Sequence, residues 1–130
     1  MNTQKRIKVR EVMKTVFNWV DGKDTVEKAL QDMEHGDSHV LIVRKRNDDD
    51  EYGIVRLADI AKKVIAKDRS PNRVNIYEIM SKPVVCVRPD MDIRYCARLF
   101  NRFGLNLAPV EENGQIIGTV SYNDIVLKGL

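Results

Sequence analysis

Val9-Arg10-Glu11-Val12-Met13 is matched 67 residues later by Ile76-Tyr77-Glu78-Ile79-Met80. The same offset carries outward into the next segment. Val26, Ala29, Leu30 and Met33 fall at i, i+3, i+4 and i+7, one face of an amphipathic helix. Ile93, Cys96, Ala97 and Phe100 repeat that face. Asp24 or Thr25 is placed to cap the first of these helices, and Asp90 or Asp92 the second. Self-similarity at a fixed period means that one supersecondary unit occurs twice.

The repeat continues through both halves. Val40-Leu41-Ile42-Val43 aligns with Leu107-Ala108-Pro109-Val110, short apolar runs of the kind buried strands carry. A polar hairpin turn follows. In the second half it holds Asn113-Gly114, a type I′ signal; in the first it is the longer acidic Asn47-Asp48-Asp49-Asp50-Glu51. The returning strands open with Gly53-Ile54-Val55 and Gly118-Thr119-Val120, and a last helix starts near Asp59-Ile60 and near Asp124-Ile125. Each half therefore reads strand, helix, strand, strand, helix, an α+β pattern. A half is too small to bury a sufficient core alone, so the two are expected to pack together. The expected organisation is a first repeat over 1–66, a linker over 67–75 whose stretch 67–73 around Pro71 reads as exposed and non-helical, and a second repeat over 76–130.

The 130 residues make one ordinary domain and exclude two large ones; 43% hydrophobic and 32% charged is the composition of a chain that folds. Lys plus Arg is 22 against 19 Asp plus Glu, a net charge of +3 without a clustered basic face, which argues against nucleic acid. No apolar run approaches the roughly 20 residues that span a bilayer, and Met1 to Arg10 carries no apolar leader, so the expected location is the cytoplasm. Cys86 and Cys96 make no disulfide framework and read as core thiols. His35 and His39 have chelating spacing only on a helix, and Gly36-Asp37 between them breaks it, so no metal is expected.

These features, in order and twice, resemble a tandem pair of CBS domains, the cystathionine β-synthase type repeat also called a Bateman module, over roughly Val9 to Leu127. The resemblance rests on the Met13 and Met80 openings, the helices centred on Ala29 and Cys96, the Leu-Ala-Pro-Val strand, and the closing run Gly118-Thr119-Val120-Ser121-Tyr122-Asn123-Asp124. It implies two βαββα units packed with pseudo-two-fold symmetry, a free-standing regulatory module, and a homodimer of four repeats in a flat disc. It also implies two clefts between the repeats that take adenosine-containing ligands such as AMP, ADP, ATP, NAD or S-adenosylmethionine, with no required cofactor.

Carried onto this chain, the resemblance makes Gly118 the point where a ligand approaches the backbone and Thr119 a neighbour of the base. Ser121 would meet phosphate or ribose, and Asp124 the ribose diol. Thr15, Val16, His39 and Val40 would complete that cleft from the other repeat. The second cleft would use Arg56, Asp59, Val84, Val85, Asn106 and Leu107. There the chain departs from the pattern. Arg56 stands where Ser or Thr is usual, and it either pairs with phosphate through its guanidinium or fills the cleft. Asp59 and Asp124 also read simply as helix caps.

The remaining features have plainer readings. Asp48-Asp49-Asp50-Glu51 lacks the spacing of a calcium loop and reads as a solvated hairpin tip beside Arg44-Lys45-Arg46. Lys62, Lys63 and Lys67 suit a helix C-terminus, and no stacking platform for RNA accompanies them. Phe17 and Trp19 share a strand face, set either in the core or on a dimer surface, and Leu99, Phe100 and Phe103 extend the second amphipathic helix. No Ser-His-Asp grouping, paired cleft carboxylates or metal cluster suggests an enzyme. The expected function is a nucleotide sensor or adaptor acting on an unidentified partner protein. The alternative is a structural or dimerisation module with degenerate sites, which Arg56 favours.

Overall fold

The computed structural model describes residues 6–36 and 38–130. Part of the N-terminal stretch read for a leader, residues 1–5, and the helix-breaking Asp37 lie outside the described residues. In chain order the elements are α1 (Val9–Val12), β1 (Asn18–Val20), α2 (Val26–Gln31), β2 (Val40–Val43), β3 (Gly53–Arg56), α3 (Leu57–Lys63), α4 (Ile76–Ile79), α5 (Ile93–Phe103), β4 (Leu107–Glu112), β5 (Gln115–Ser121) and α6 (Tyr122–Gly129).

Four helices begin by one local device. A carboxylate at the third helical position accepts the backbone N–H of the residue before the helix, satisfying an otherwise orphaned donor. The bonds are Lys8 N to Glu11 Oε2 at 2.8 Å, Arg56 N to Asp59 Oδ2 at 2.9 Å, Asn75 N to Glu78 Oε2 at 2.8 Å and Ser121 N to Asp124 Oδ2 at 2.9 Å. The two amphipathic helices are capped from outside instead. The Thr25 side chain accepts from Lys28 N and Asp92 accepts from Arg94 N.

The backbone gathers into two compact units. The middle unit is Val16–Val84, and the terminal unit joins the described residues up to Thr15 with Val85–Leu130. The unit boundaries differ from the repeat boundaries: α1, the opening of the first repeat, packs against α6, and α4, the opening of the second, packs against α3.

In the middle unit the sheet order is β1-β2-β3, with β1 parallel and β3 antiparallel to β2. All four residues of β2 are buried, as its uninterrupted apolar run implies. Leu41 and Val43 pack with Val26, Val55, Ile60 and Ile76, each side chain of this kind contributing about 1.5–3 kcal/mol on burial. Val26 and Ala29 face inward, whereas Leu30, expected on the same stripe, is 39% exposed. On β1 it is Asn18 and Val20 that point in, so the Phe17–Trp19 face is the outer one and not the core. Their rings lie 5.4 Å apart, and Trp19 continues to Tyr52 at 5.9 Å. Arg44 and Lys45 stack on Trp19 and Tyr52 respectively.

Two expectations need correction in this unit. The linker is exposed over most of 67–73, as expected, but it is not wholly non-helical. Short 3-10 turns form at Ile65–Lys67 and at Pro71–Arg73, where proline's fixed φ suits the first helical position, and Val74 is buried. The acidic hairpin is not simply solvated either. The Asp50 side chain is 6% exposed and accepts from Arg46 N at 2.9 Å and Arg46 Nε at 3.1 Å, with Lys82 paired to its other oxygen.

In the terminal unit β4 and β5 form a hairpin closed by Asn113-Gly114, both at positive φ as a type I′ turn requires. The core combines Val9, Val12, Ile93, Cys96, Phe100 and Val120, with Phe100 edge-on to Tyr122 at 5.3 Å. Burial pushes the Cys96 thiol up to about 11, as expected of a core thiol, whereas Cys86 is only half-buried. The strand expected to open the second repeat shrinks to one parallel bridge, Val87 to Val110. The ladder cannot extend because Pro109 and Pro89 lack the N–H groups that neighbouring rungs need.

Candidate functional site

Asp124 is the centre of the terminal unit's polar chemistry. It sits at the third position of α6, and its side chain is only 5% exposed. Its two oxygens do different work. Oδ2 accepts the Ser121 N–H and, at 3.0 Å, the Ser121 hydroxyl. Oδ1 faces the Lys14 ammonium at 3.5 Å. A carboxylate cannot donate, so the single proton of Ser121 Oγ is committed to Asp124, while Oγ itself accepts the Asp124 N–H at 3.2 Å.

Backbone pairing brings Lys14 to this place. Lys14 N donates to Thr119 O at 2.8 Å and Thr119 N donates to Lys14 O at 2.9 Å, a closed two-bond bridge onto β5. Gly118 makes the crossing possible. A Cβ there would stand 2.5 Å from Lys14 O, so the chain's own crossing needs a glycine at this position. Thr15 follows Lys14 and is exposed; Thr119 is buried. Asn106 and Leu107 belong to the same end of the hairpin: Leu107 is the register partner of Ser121, and Asn106 O accepts the Tyr122 N–H at 3.1 Å. Val85 is in this unit and is 40% exposed.

The middle unit repeats the layout with other side chains. Ser81 and Ile54 exchange two backbone bonds, at 2.9 and 3.0 Å, just as Lys14 and Thr119 do. Arg56 occupies the place of Ser121, and its N–H is held by Asp59 Oδ2. Val40 is the register partner of Arg56, and His39 O accepts the Leu57 N–H at 3.0 Å. Val84 donates to Tyr52 O at 3.3 Å, and Val16 is 53% exposed. Within a unit, then, His39 and Val40 neighbour Arg56 and Asp59, and Asn106 and Leu107 neighbour Ser121 and Asp124. A groove of about 400 Å³ beside β1 is lined by Trp19, Lys28, Asp32, Glu34, His35 and Arg44 among others, and by none of the expected ligand-binding residues.

Lys14 is the polar group that the sequence reading missed. The signal was present in the repeat itself. The offset that aligns Met13 with Met80 puts Lys14 on Ser81, so a cation stands in one half where the other has a small hydroxyl.

Comparison with known proteins places these features. The family model for the CBS domain matches residues 9–66 and again 76–129. A solved structure of a hexameric CBS-CP12 protein from bloom-forming cyanobacteria is 36% identical, with a TM-score of 0.89, over 95% of this chain and 68% of that one. A curated but uncharacterized protein of Methanopyrus kandleri is 35% identical over 78% of this chain and 51% of its own length. A CBS domain pair solved with 5′-methylthioadenosine and S-adenosyl-L-methionine shares the fold at a TM-score of 0.76 and 19% identity, over 93% of this chain and 98% of that one. The chain spans about half or less of the length of the curated relatives it matches.

Proposed function

The chain belongs to the CBS domain family as a tandem pair, and from that premise we propose that it is a non-enzymatic regulatory module that binds an adenosine-containing ligand through Asp124. CBS pairs are regulatory modules. The observation that carries the proposal is the division of labour at Asp124, where one oxygen caps α6 and the other faces the half-exposed Lys14. A ribose diol offers two O–H donors, which an ionised carboxylate accepts well in a largely buried setting. Thr15 and Thr119 flank it. The complex of a related pair with methylthioadenosine and S-adenosylmethionine supports the ligand class, which includes AMP, ADP, ATP and NAD. No cofactor is required for such binding.

The module acts in the cytoplasm by population shift. The ligand favours one conformation, and a partner protein with a preference for that conformation reads it; equal affinity for both would transmit nothing. It works as a homodimer. Val126, Leu127 and Leu130 on and after α6 are 53%, 79% and 98% exposed, apolar surface that a second copy would cover.

Thermal unfolding with each nucleotide and with S-adenosylmethionine tests the ligand. At a hundred times its dissociation constant a ligand stabilises the native state by about 2.7 kcal/mol, a rise of several degrees in Tm. Asp124→Asn keeps an oxygen for the cap and should lose the rise. A second reading, an interaction module with degenerate sites, is favoured by Arg56 in the place of Ser121. It becomes the better one if no compound moves a cooperative transition.

A further inference from the structure

We infer that Lys14 makes the terminal unit's site selective for adenosine compounds that carry an anionic group beside the ribose, over neutral or sulfonium ones. The inference rests on the reading of Asp124 as the ribose acceptor. The charge of a 5′-substituent must be met by a donor, and Ser121 is not free to be that donor. Its one proton already lies on Asp124 Oδ2. The cation paired with Asp124 is Lys14, whose backbone is fixed on Thr119 by two hydrogen bonds while its side chain stays 55% exposed. The position is held and the ammonium can swing.

Without ligand, Lys14 lies 3.5 Å from Asp124 Oδ1, longer than a good hydrogen bond. A ribose diol on Oδ1 displaces it. The released ammonium then finds a phosphate oxygen as its next acceptor, and a charge-assisted bond replaces a loose ion pair. A sulfonium beside the ribose, where the phosphate would sit, puts one cation against another. In the middle unit the residue equivalent to Lys14 is Ser81, and the next one, Lys82, is already paired with Asp50; the cation of that half is Arg56 instead, in the place of Ser121.

Calorimetric titration with AMP, adenosine and S-adenosylmethionine tests this on the wild-type chain, Lys14→Ser and Lys14→Arg. The wild type should bind AMP about tenfold or more tighter than adenosine, the share of one charge-assisted hydrogen bond. Lys14→Ser, which installs the residue of the other repeat, should bring AMP down to adenosine and narrow the gap to S-adenosylmethionine. Lys14→Arg should keep the AMP advantage. An advantage that survives in Lys14→Ser, or is absent from the wild type while adenosine still binds, overturns the role of Lys14 alone. A wild type that binds none of the three overturns the reading of Asp124, and this inference with it.

Discussion

Single carboxylates set how this chain responds to acid. The Arg46 side chain, with Lys82 and the Arg46 N–H, holds the Asp50 carboxyl far below its usual 3.8. Backbone bonding to Asn75, then Arg69, lowers Glu78, and Arg94 lowers Asp92. Each group binds its proton more weakly when folded than when unfolded. The stability it contributes is therefore complete above the unfolded value and is lost as pH falls toward the folded one. Tm should fall as pH drops from about 5 toward 2. Asp50→Asn should lower Tm at pH 7 and flatten that acid limb; an unchanged limb, measured by calorimetry, would remove Asp50 from the explanation. The burial of Asp50 was not legible beforehand because its partner Lys82 is 32 positions away, across the whole last helix of the repeat. Lys14 was hidden differently. Its role depends on the Lys14–Thr119 bridge, a contact between the chain's start and its end that no local pattern announces.

Elements were more readable than individual residues, for physical reasons that differ by type. Helix faces follow a period of 3.6, so Val26 with Ala29 and Ile93 with Cys96 and Phe100 were found correctly, and Leu30 failed only where α2 ends one residue later. The Asn113-Gly114 hairpin was found because its turn chemistry is nearly unique. Strand pairing was less legible. An extended apolar run such as Val84-Val85-Cys86-Val87 reads as a strand, yet its partner must supply N–H groups, and Pro109 cannot. Beside β1, alternation placed Phe17 and Trp19 together but could not say which face is buried; Asn18 decided it. Its side chain bonds both the N–H and the carbonyl of His35 at 3.0 Å, anchoring it inward.

At the scale of the whole molecule, the internal repeat was the most informative feature of the sequence, since it named the family before any geometry was known. It did not tell which pieces pack with which. The openings exchange units, because α1 finds its apolar partner in α6 and not within its own repeat. The exposed apolar end of α6 leads to a prediction at this scale: light scattering should give twice the chain's 15.0 kDa, and a monomer at micromolar concentration would contradict the homodimer. The claim on which the rest depends is that an adenosine ligand sits against Asp124. A ¹H–¹⁵N correlation spectrum of the labelled protein, recorded during titration with AMP, tests it most directly. The amides of Lys14, Thr15 and Gly118 to Asp124 should shift together and saturate with one affinity. Shifts confined to other residues, or a spectrum that stays still, would contradict it.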